Sequence, residues 1–163
     1  MGRAPFQVLV IPFIKCDNKI KYCVFERKNP LCQYQFIAGG GKNAETPIEA
    51  AKRESVEEAQ IRCDNFIKLT SLCYIPTHIF SKKQRQEWGD DIFVIPEYAF
   101  AAELKSEKIT ISDEHIDFHW STYDEAITKL KWDSNKTALY ELNCRIKLAQ
   151  MLIATTGIEK ENR

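Results

Sequence analysis

The chain has 163 residues, enough for one domain with an adequate core, and its 44% hydrophobic and 28% charged residues are ordinary for a soluble globular protein. Lys plus Arg and Asp plus Glu are both 23, so no global field favours nucleic acid, and an anionic ligand must be met by local cations or a metal ion. Cysteines at 16, 23, 32, 63, 73 and 144 include no Cys-x-x-Cys pair, which argues against a zinc site and for reduced, mostly buried thiols in a cytoplasmic protein.

Phe6 to Ile14 and Lys19 to Glu26 read as strands joined by a Cys16-Asp17-Asn18 turn. The apolar run Val8 to Ile14 is too short to span a membrane, is interrupted by Pro12 and lacks a small-residue cleavage site, so it is a strand rather than a signal peptide. Tyr34 to Ala38 is a short strand that delivers a glycine loop, Gly39-Gly40-Gly41, and a helix follows. Thr46 caps that helix, Pro47 takes its first position and Glu49 completes a capping box, so it should run from Pro47 to Ala59. Phe66 to Ile75 and Asp91 to Glu103 are further strands. The polar segment 81–90 between them has no apolar periodicity and is predicted to be a mobile loop. Ile116 to Trp120 is another strand, and Thr122 to Leu130 a helix opening on a second capping box. In the last helix Leu139, Leu142, Ile146, Ala149 and Ile153 form a 3.6-residue stripe that should pack on the core. Gly157 is expected to end it, giving one domain over residues 1–156 and a frayed tail over 157–163. Strands surrounding two or three helices make this an α/β protein.

The chemistry is concentrated after the glycines. Ile48, Ala51, Ser55 and Ala59 turn one flank of the helix toward a core, while Glu54, Glu57 and Glu58, at i, i+3 and i+4, share another face. Like charges so close repel by a few tenths of a kcal/mol per pair on an exposed helix. Glutamate runs of this kind are often just a solvated acidic face. The alternative is a compensating ligand, and clustered carboxylates suit magnesium, manganese or calcium.

Gly39, Glu45, Arg53, Glu54, Glu57, Glu58 and Ile61 match the box that defines the Nudix hydrolases, with every spacing kept. The chain departs from it at Ser55, where a bulky aliphatic residue is usual, and at Gln60, where a glycine closes the helix. The resemblance implies a Nudix-type α/β/α sandwich with a mixed β-sheet, and hydrolysis of a nucleoside diphosphate linked to another moiety. It implies that Glu54, Glu57 and Glu58 hold Mg2+, with Mn2+ as the other candidate ion, that the Ala38 carbonyl adds a ligand, and that Glu45 and Arg53 orient the glutamates. An ordinary helix salt bridge is the plainer account of Glu45 and Arg53.

Glu114 stands where the family's loop carboxylate would act as base or extra metal ligand, unless it merely caps a turn; Asp113 is another candidate base, and His115 and His119 are either bases or structural residues. Arg27 resembles a phosphate-contacting arginine. The run Trp132-Asp133-Ser134-Asn135-Lys136 resembles the dihydroneopterin triphosphate pyrophosphatase subgroup, so Trp132, Asn135 and Lys136, with Trp88, are candidate substrate contacts, although Trp132 also suits packing and Asp133 or Ser134 a helix cap. The expected activity is a pyrophosphatase acting on a pterin or nucleoside triphosphate, in a monomer or homodimer that binds neither nucleic acid nor membrane. A dinucleoside polyphosphate or nucleotide-sugar hydrolase is the alternative enzyme, and a catalytically silent nucleotide sensor the alternative of another class.

Overall fold

The computed structural model describes residues 2–29 and 31–161. The strands are β1 (Arg3–Cys16), β2 (Lys19–Arg27), β3 (Tyr34–Gln35), β4 (Ile37–Lys42), β5 (Phe66–Pro76), β6 (Val94–Glu103) and β7 (His115–Ser121). The helices are α1 (Pro47–Ala59), α2 (Lys82–Trp88), α3 (Tyr123–Lys129) and α4 (Asp133–Glu161). All strands join one mixed sheet in the order β3-β2-β1-β6-β5, with β4 paired to β1 and β7 to β2. The long β1 is its spine. The first part pairs antiparallel with β4, the end pairs antiparallel with β2, and the opposite edge runs parallel to β6.

Alternation along β1 builds both layers. Leu9, Ile11 and Phe13 face a core closed by Ala126 and Leu130 near α3 and by Ala138, Leu139, Leu142 and Ile146 of α4. Val8 and Val10 point the other way, onto Ala50, Ala51 and Ala59 of α1. Helices on both faces give the expected α/β/α sandwich. No helix among the described residues is long and apolar enough to cross a membrane.

Five expectations change. The glycine run is strand rather than loop: Gly39 and Gly40 of β4 lie opposite Val8 and Gln7 of β1. Segment 81–90 contains α2, which Ser81 starts by accepting a hydrogen bond from the Gln84 backbone, a local cap that needs no apolar stripe. The α4 stripe is buried only through Ile146; Ala149 and Ile153 are exposed because the helix outruns the sheet it packs on. Gly157, which reaches no neighbour that would force a turn, does not stop the helix; it continues to Glu161, so the expected tail begins inside α4, and residues 162–163 lie outside the described ones. Of the cysteines only Cys23 is buried, since the others lie in connecting loops, at a strand end, on an edge strand and on a helix surface.

The two departures in the box helix have physical accounts. Ser55 is fully buried, and its hydroxyl donates to the Ala51 carbonyl at 2.8 Å, so it carries no unpaired polar group into a tight site. Gln60 closes the helix in the left-handed region at φ 51°, its N–H reaching Val56 O in the five-to-one bond of an αL cap, while Ile61 N–H reaches Ser55 O. A side chain there costs about 1–2 kcal/mol relative to glycine. Gln60→Gly is therefore expected to raise unfolding free energy by about 0.5–1 kcal/mol after the added chain entropy is deducted. Denaturant unfolding of the two proteins measures it.

Candidate active site

The N-terminal cap of α1 sets its rotation: Thr46 N–H donates to Glu49 at 2.8 Å, and Pro47 follows as the first helical residue. That rotation lays Glu54 against β4. A Cβ at Gly39 would overlap the Glu54 carboxylate, so the glycine is what lets a buried carboxylate lie on the strand.

Arg53 is the hub of the cluster. It grips Glu45 with Nε at 2.7 Å and Nη2 at 2.9 Å, a two-point fork–fork contact. Its Nη1 donates to Glu54 at 2.6 Å and Glu57 at 3.0 Å, and Nη2 donates to the Gly40 carbonyl at 2.8 Å. Glu45 also accepts from the Lys42 backbone at 2.8 Å, and Lys42 Nζ pairs with Glu57 at 2.9 Å. The Arg53 hydrogen bond holds Glu45 below the usual carboxylate range. Burial would raise Glu57, but Lys42 and Arg53 outweigh it and its pKa is lowered. For Glu54 burial wins over Arg53 and the pKa is raised.

Glu58 is 1% exposed and faces β7. One carboxylate oxygen lies 2.7 Å from His115 Nε2, which donates when Glu58 is ionised. Its other oxygen, Oε1, is buried with no hydrogen-bond partner, and so is His115 Nδ1. Burial, partly opposed by His115 and reinforced by the charges of Glu114 and Glu54, raises the Glu58 pKa. Two buried carboxylates that are pushed toward neutrality, one with an open oxygen, form a donor set short of positive charge. A hard divalent cation supplies what is missing, so the residues present fit the expected ion.

The other expected residues separate into two groups. Arg27 comes to this end of the sheet, paired across the strands with His115, and the next residue, Lys28, donates its N–H to the Glu114 carbonyl at 3.0 Å. Glu114 is exposed on the turn entering β7, close enough for its charge to act on Glu58. Ala38 immediately precedes Gly39 on β4, opposite Leu9. By contrast, Trp88 spends its indole N–H on the Arg3 carbonyl at 2.6 Å and stacks edgewise on Phe80. Asn135 is buried, with its oxygen accepting from Phe36 N–H at 2.9 Å, so it braces the start of β4. Trp132 is half exposed at the start of α4, and Lys136 stands 3.9 Å from Asp133. His119 joins Glu26 and Asp117 in a separate group whose ligand atoms lie within 4.8 Å of one another. There Tyr34 donates to Glu26 and His119 faces Asp117, so the group is accounted for by its own contacts.

Sequence reasoning missed a polar row on the α4 side of the sheet. A Cβ at Gly40 would overlap the Arg3 guanidinium, which also lies 4.9 Å over the Phe80 ring. Arg3 donates to Gln7 at 3.1 Å, and Gln7 donates to Glu97 at 2.8 Å. Arg3 Nε is buried without a partner. The three residues are far apart in sequence or sit on a strand read only for its apolar alternation, so no local motif marked them.

Residues 6–142 match the family model of the NUDIX domain. Over 144 residues the chain is 30% identical to the dihydroneopterin triphosphate diphosphatase of Haemophilus influenzae, covering 85% of this chain and 88% of that protein. A solved NUDIX-hydrolase structure from Listeria monocytogenes is similar with a TM-score of 0.79 and 44% identity, over 90% of this chain and 97% of that one. The E. coli dihydroneopterin triphosphate pyrophosphohydrolase matches with a TM-score of 0.67 over 88% of this chain and 99% of that one; at 22% identity this bears on the fold.

Gly39→Ala tests the packing of the site. The new methyl group must displace the Glu54 carboxylate, and overpacking of this kind costs about 1–3 kcal/mol. Thermal melts should show that loss, and titration calorimetry with Mg2+ or Mn2+ should show affinity at least tenfold weaker than in the parent.

Proposed function

The chain belongs to the Nudix hydrolase family, and on that footing we propose that it is a magnesium-dependent pyrophosphohydrolase. Its substrate is a pterin or nucleoside triphosphate, with dihydroneopterin triphosphate favoured by the similarity to the Haemophilus influenzae enzyme, and pyrophosphate is one product. The observation that carries the metal-dependent part is the pair of buried carboxylates, Glu54 and Glu58, with Glu58 Oε1 left open.

Glu54, Glu57 and Glu58, with the Ala38 carbonyl and Glu114, would hold Mg2+ or Mn2+. When bound, the ion neutralises polyphosphate charge and lowers the pKa of water at the phosphorus. Arg53, fixed by Glu45, keeps Glu54 and Glu57 aligned, and Lys42 shares Glu57. His115 fixes one Glu58 oxygen and so aims the other. Glu114, exposed beside this group, takes the proton from the attacking water. Arg27 is not in an ion pair among the described residues, which leaves its charge for the phosphates. Trp132 and Lys136 flank the ring-binding end, while Asn135 and Trp88 serve by positioning backbone. The free cysteines suit a reducing compartment such as the cytoplasm, where the enzyme acts as a monomer or homodimer.

Glu57→Gln should lower magnesium-dependent turnover by about two orders of magnitude or more. Its half-exposed carboxylate contributes little to stability, so the melting temperature should stay the same. Equal rates would remove Glu57 from the site. Glu114→Gln should cut turnover by about a hundredfold or more while changing magnesium affinity less than Glu57→Gln does; full activity across pH 6 to 9 would reduce Glu114 to a turn residue. Specificity constants for dihydroneopterin triphosphate, purine nucleoside triphosphates and diadenosine polyphosphates decide the substrate. A preference of tenfold or more for the diadenosine compounds, about 1.4 kcal/mol, would replace this reading with a dinucleoside polyphosphate hydrolase.

A further inference from the structure

A cavity of about 220 Å³ opens between β5, β6 and the start of α4, with Leu9, Ser71, Glu97, Ala99, Ser134 and Thr137 among its lining. That volume is below the usual range for whole drug-sized ligands and suits a single flat ring system. Leu9 and Ala99 give it apolar walls; Ser71, Ser134 and Thr137 give it a polar rim.

The unusual member is Glu97. It is only 6% exposed. The other buried carboxylates have a basic neighbour, Arg53 for Glu54 and His115 for Glu58, whereas Glu97 has no ion pair among the described residues. Its one side-chain partner is the Gln7 amide. The orientation of that amide is settled, because Arg3 can only donate and so claims the Gln7 oxygen, which turns the nitrogen to Glu97. Glu97 thus receives a single hydrogen bond, and a carboxylate has lone pairs for about four. A buried carboxylate with spare acceptors in a ring-sized cavity calls for donors from a ligand.

Position supports the same conclusion. Gln7 is paired with Gly40 on one side and with Glu97 on the other. Glu97 therefore lies two strand spacings from Gly40, about 10 Å. Gly40 is bonded to Arg53 of the glutamate cluster. A ring held at Glu97 leaves its phosphate-bearing tail to reach that cluster across β1.

We infer that Glu97 is the specificity-determining residue of this cavity, accepting paired N–H donors from a heterocycle with a 2-amino-4-oxopyrimidine edge, the edge shared by pterins and guanine. The ring N–H and the adjacent amino group of that edge point the same way and match the two oxygens of a carboxylate. Adenine presents a ring lone pair at the corresponding place, which a carboxylate repels. Hypoxanthine keeps the ring N–H but lacks the amino group. The inference rests on the proposed substrate class, and one good two-point contact discriminates by about tenfold or more.

The test has a binding arm without metal and a turnover arm with magnesium. In the binding arm, the full chain and Glu97→Gln are titrated with neopterin, read by its fluorescence, and with guanosine, inosine and adenosine as competitors. The parent should bind neopterin and guanosine at least tenfold more tightly than inosine or adenosine. Glu97→Gln, which turns one acceptor into a donor at equal size, should bring all four together. Retained preference in the variant overturns the inference, as does equal binding of guanosine and inosine by the parent. The latter comparison decides alone if the variant does not fold. Neopterin against guanosine separates the pterin from the purine source. If the parent discriminates as expected but hydrolyses none of the corresponding triphosphates with magnesium, Glu97 keeps its role and the pyrophosphohydrolase reading fails.

Discussion

The site depends on one guanidinium. Arg53 is less than one-fifth exposed and holds two glutamates of its own helix, a third on the preceding turn and the carbonyl of Gly40. Each contact alone is a modest hydrogen bond, but together they tie the glutamates of α1 to β4 in the rotation that the helix cap sets. Three carboxylates would otherwise drive one another apart, and their mutual repulsion is balanced by a planar group whose five donors do not move independently. A lysine offers the same charge without the fork, so the arrangement requires arginine.

The sheet divides the work. On the α1 side, Gly39 makes room for a carboxylate; on the α4 side, Gly40 makes room for Arg3. Adjacent glycines on a strand point to opposite faces, so this pair serves both layers from a single place on the backbone. The polar row Arg3-Gln7-Glu97 then runs across the sheet, at a register set by the parallel pairing of β1 with β6.

Most of the fold and the acidic half of the site could be read from sequence, for identifiable reasons. The limits of α1 were readable because Thr46, Pro47 and Glu49 act within one turn, and Glu54, Glu57 and Glu58 fall on its face by helical geometry alone. What escaped depends on distant partners. The glycines read as loop because their strand character comes from β1 and from side chains laid over them. Segment 81–90 read as loop because α2 buries no residue, and only its cap and Trp88 hold it. Asn135 carried a ligand signal by type, yet its oxygen is taken by Phe36 N–H, 99 positions away. Glu97 gave no signal at all, since a lone glutamate in a strand looks like a surface residue until its neighbours are known. In α4, periodicity showed which face is apolar without showing where the sheet beneath it ends.

The placement of β1 bears on how the protein is made. Its residues leave the ribosome before the strands that pair with it, and Gln7 meets Glu97 only after 90 more residues have been added. At 5–20 residues per second, the edge of β1 that β6 will cover waits about 5 to 20 seconds for its partner. During that interval Val8 to Phe13 present one of the most apolar segments of the chain, and β2 and β4, the strands made early, cover only the opposite edge. The parallel β1–β6 pairing that aligns Gln7 with Glu97 therefore makes the nascent chain vulnerable to aggregation until β6 emerges.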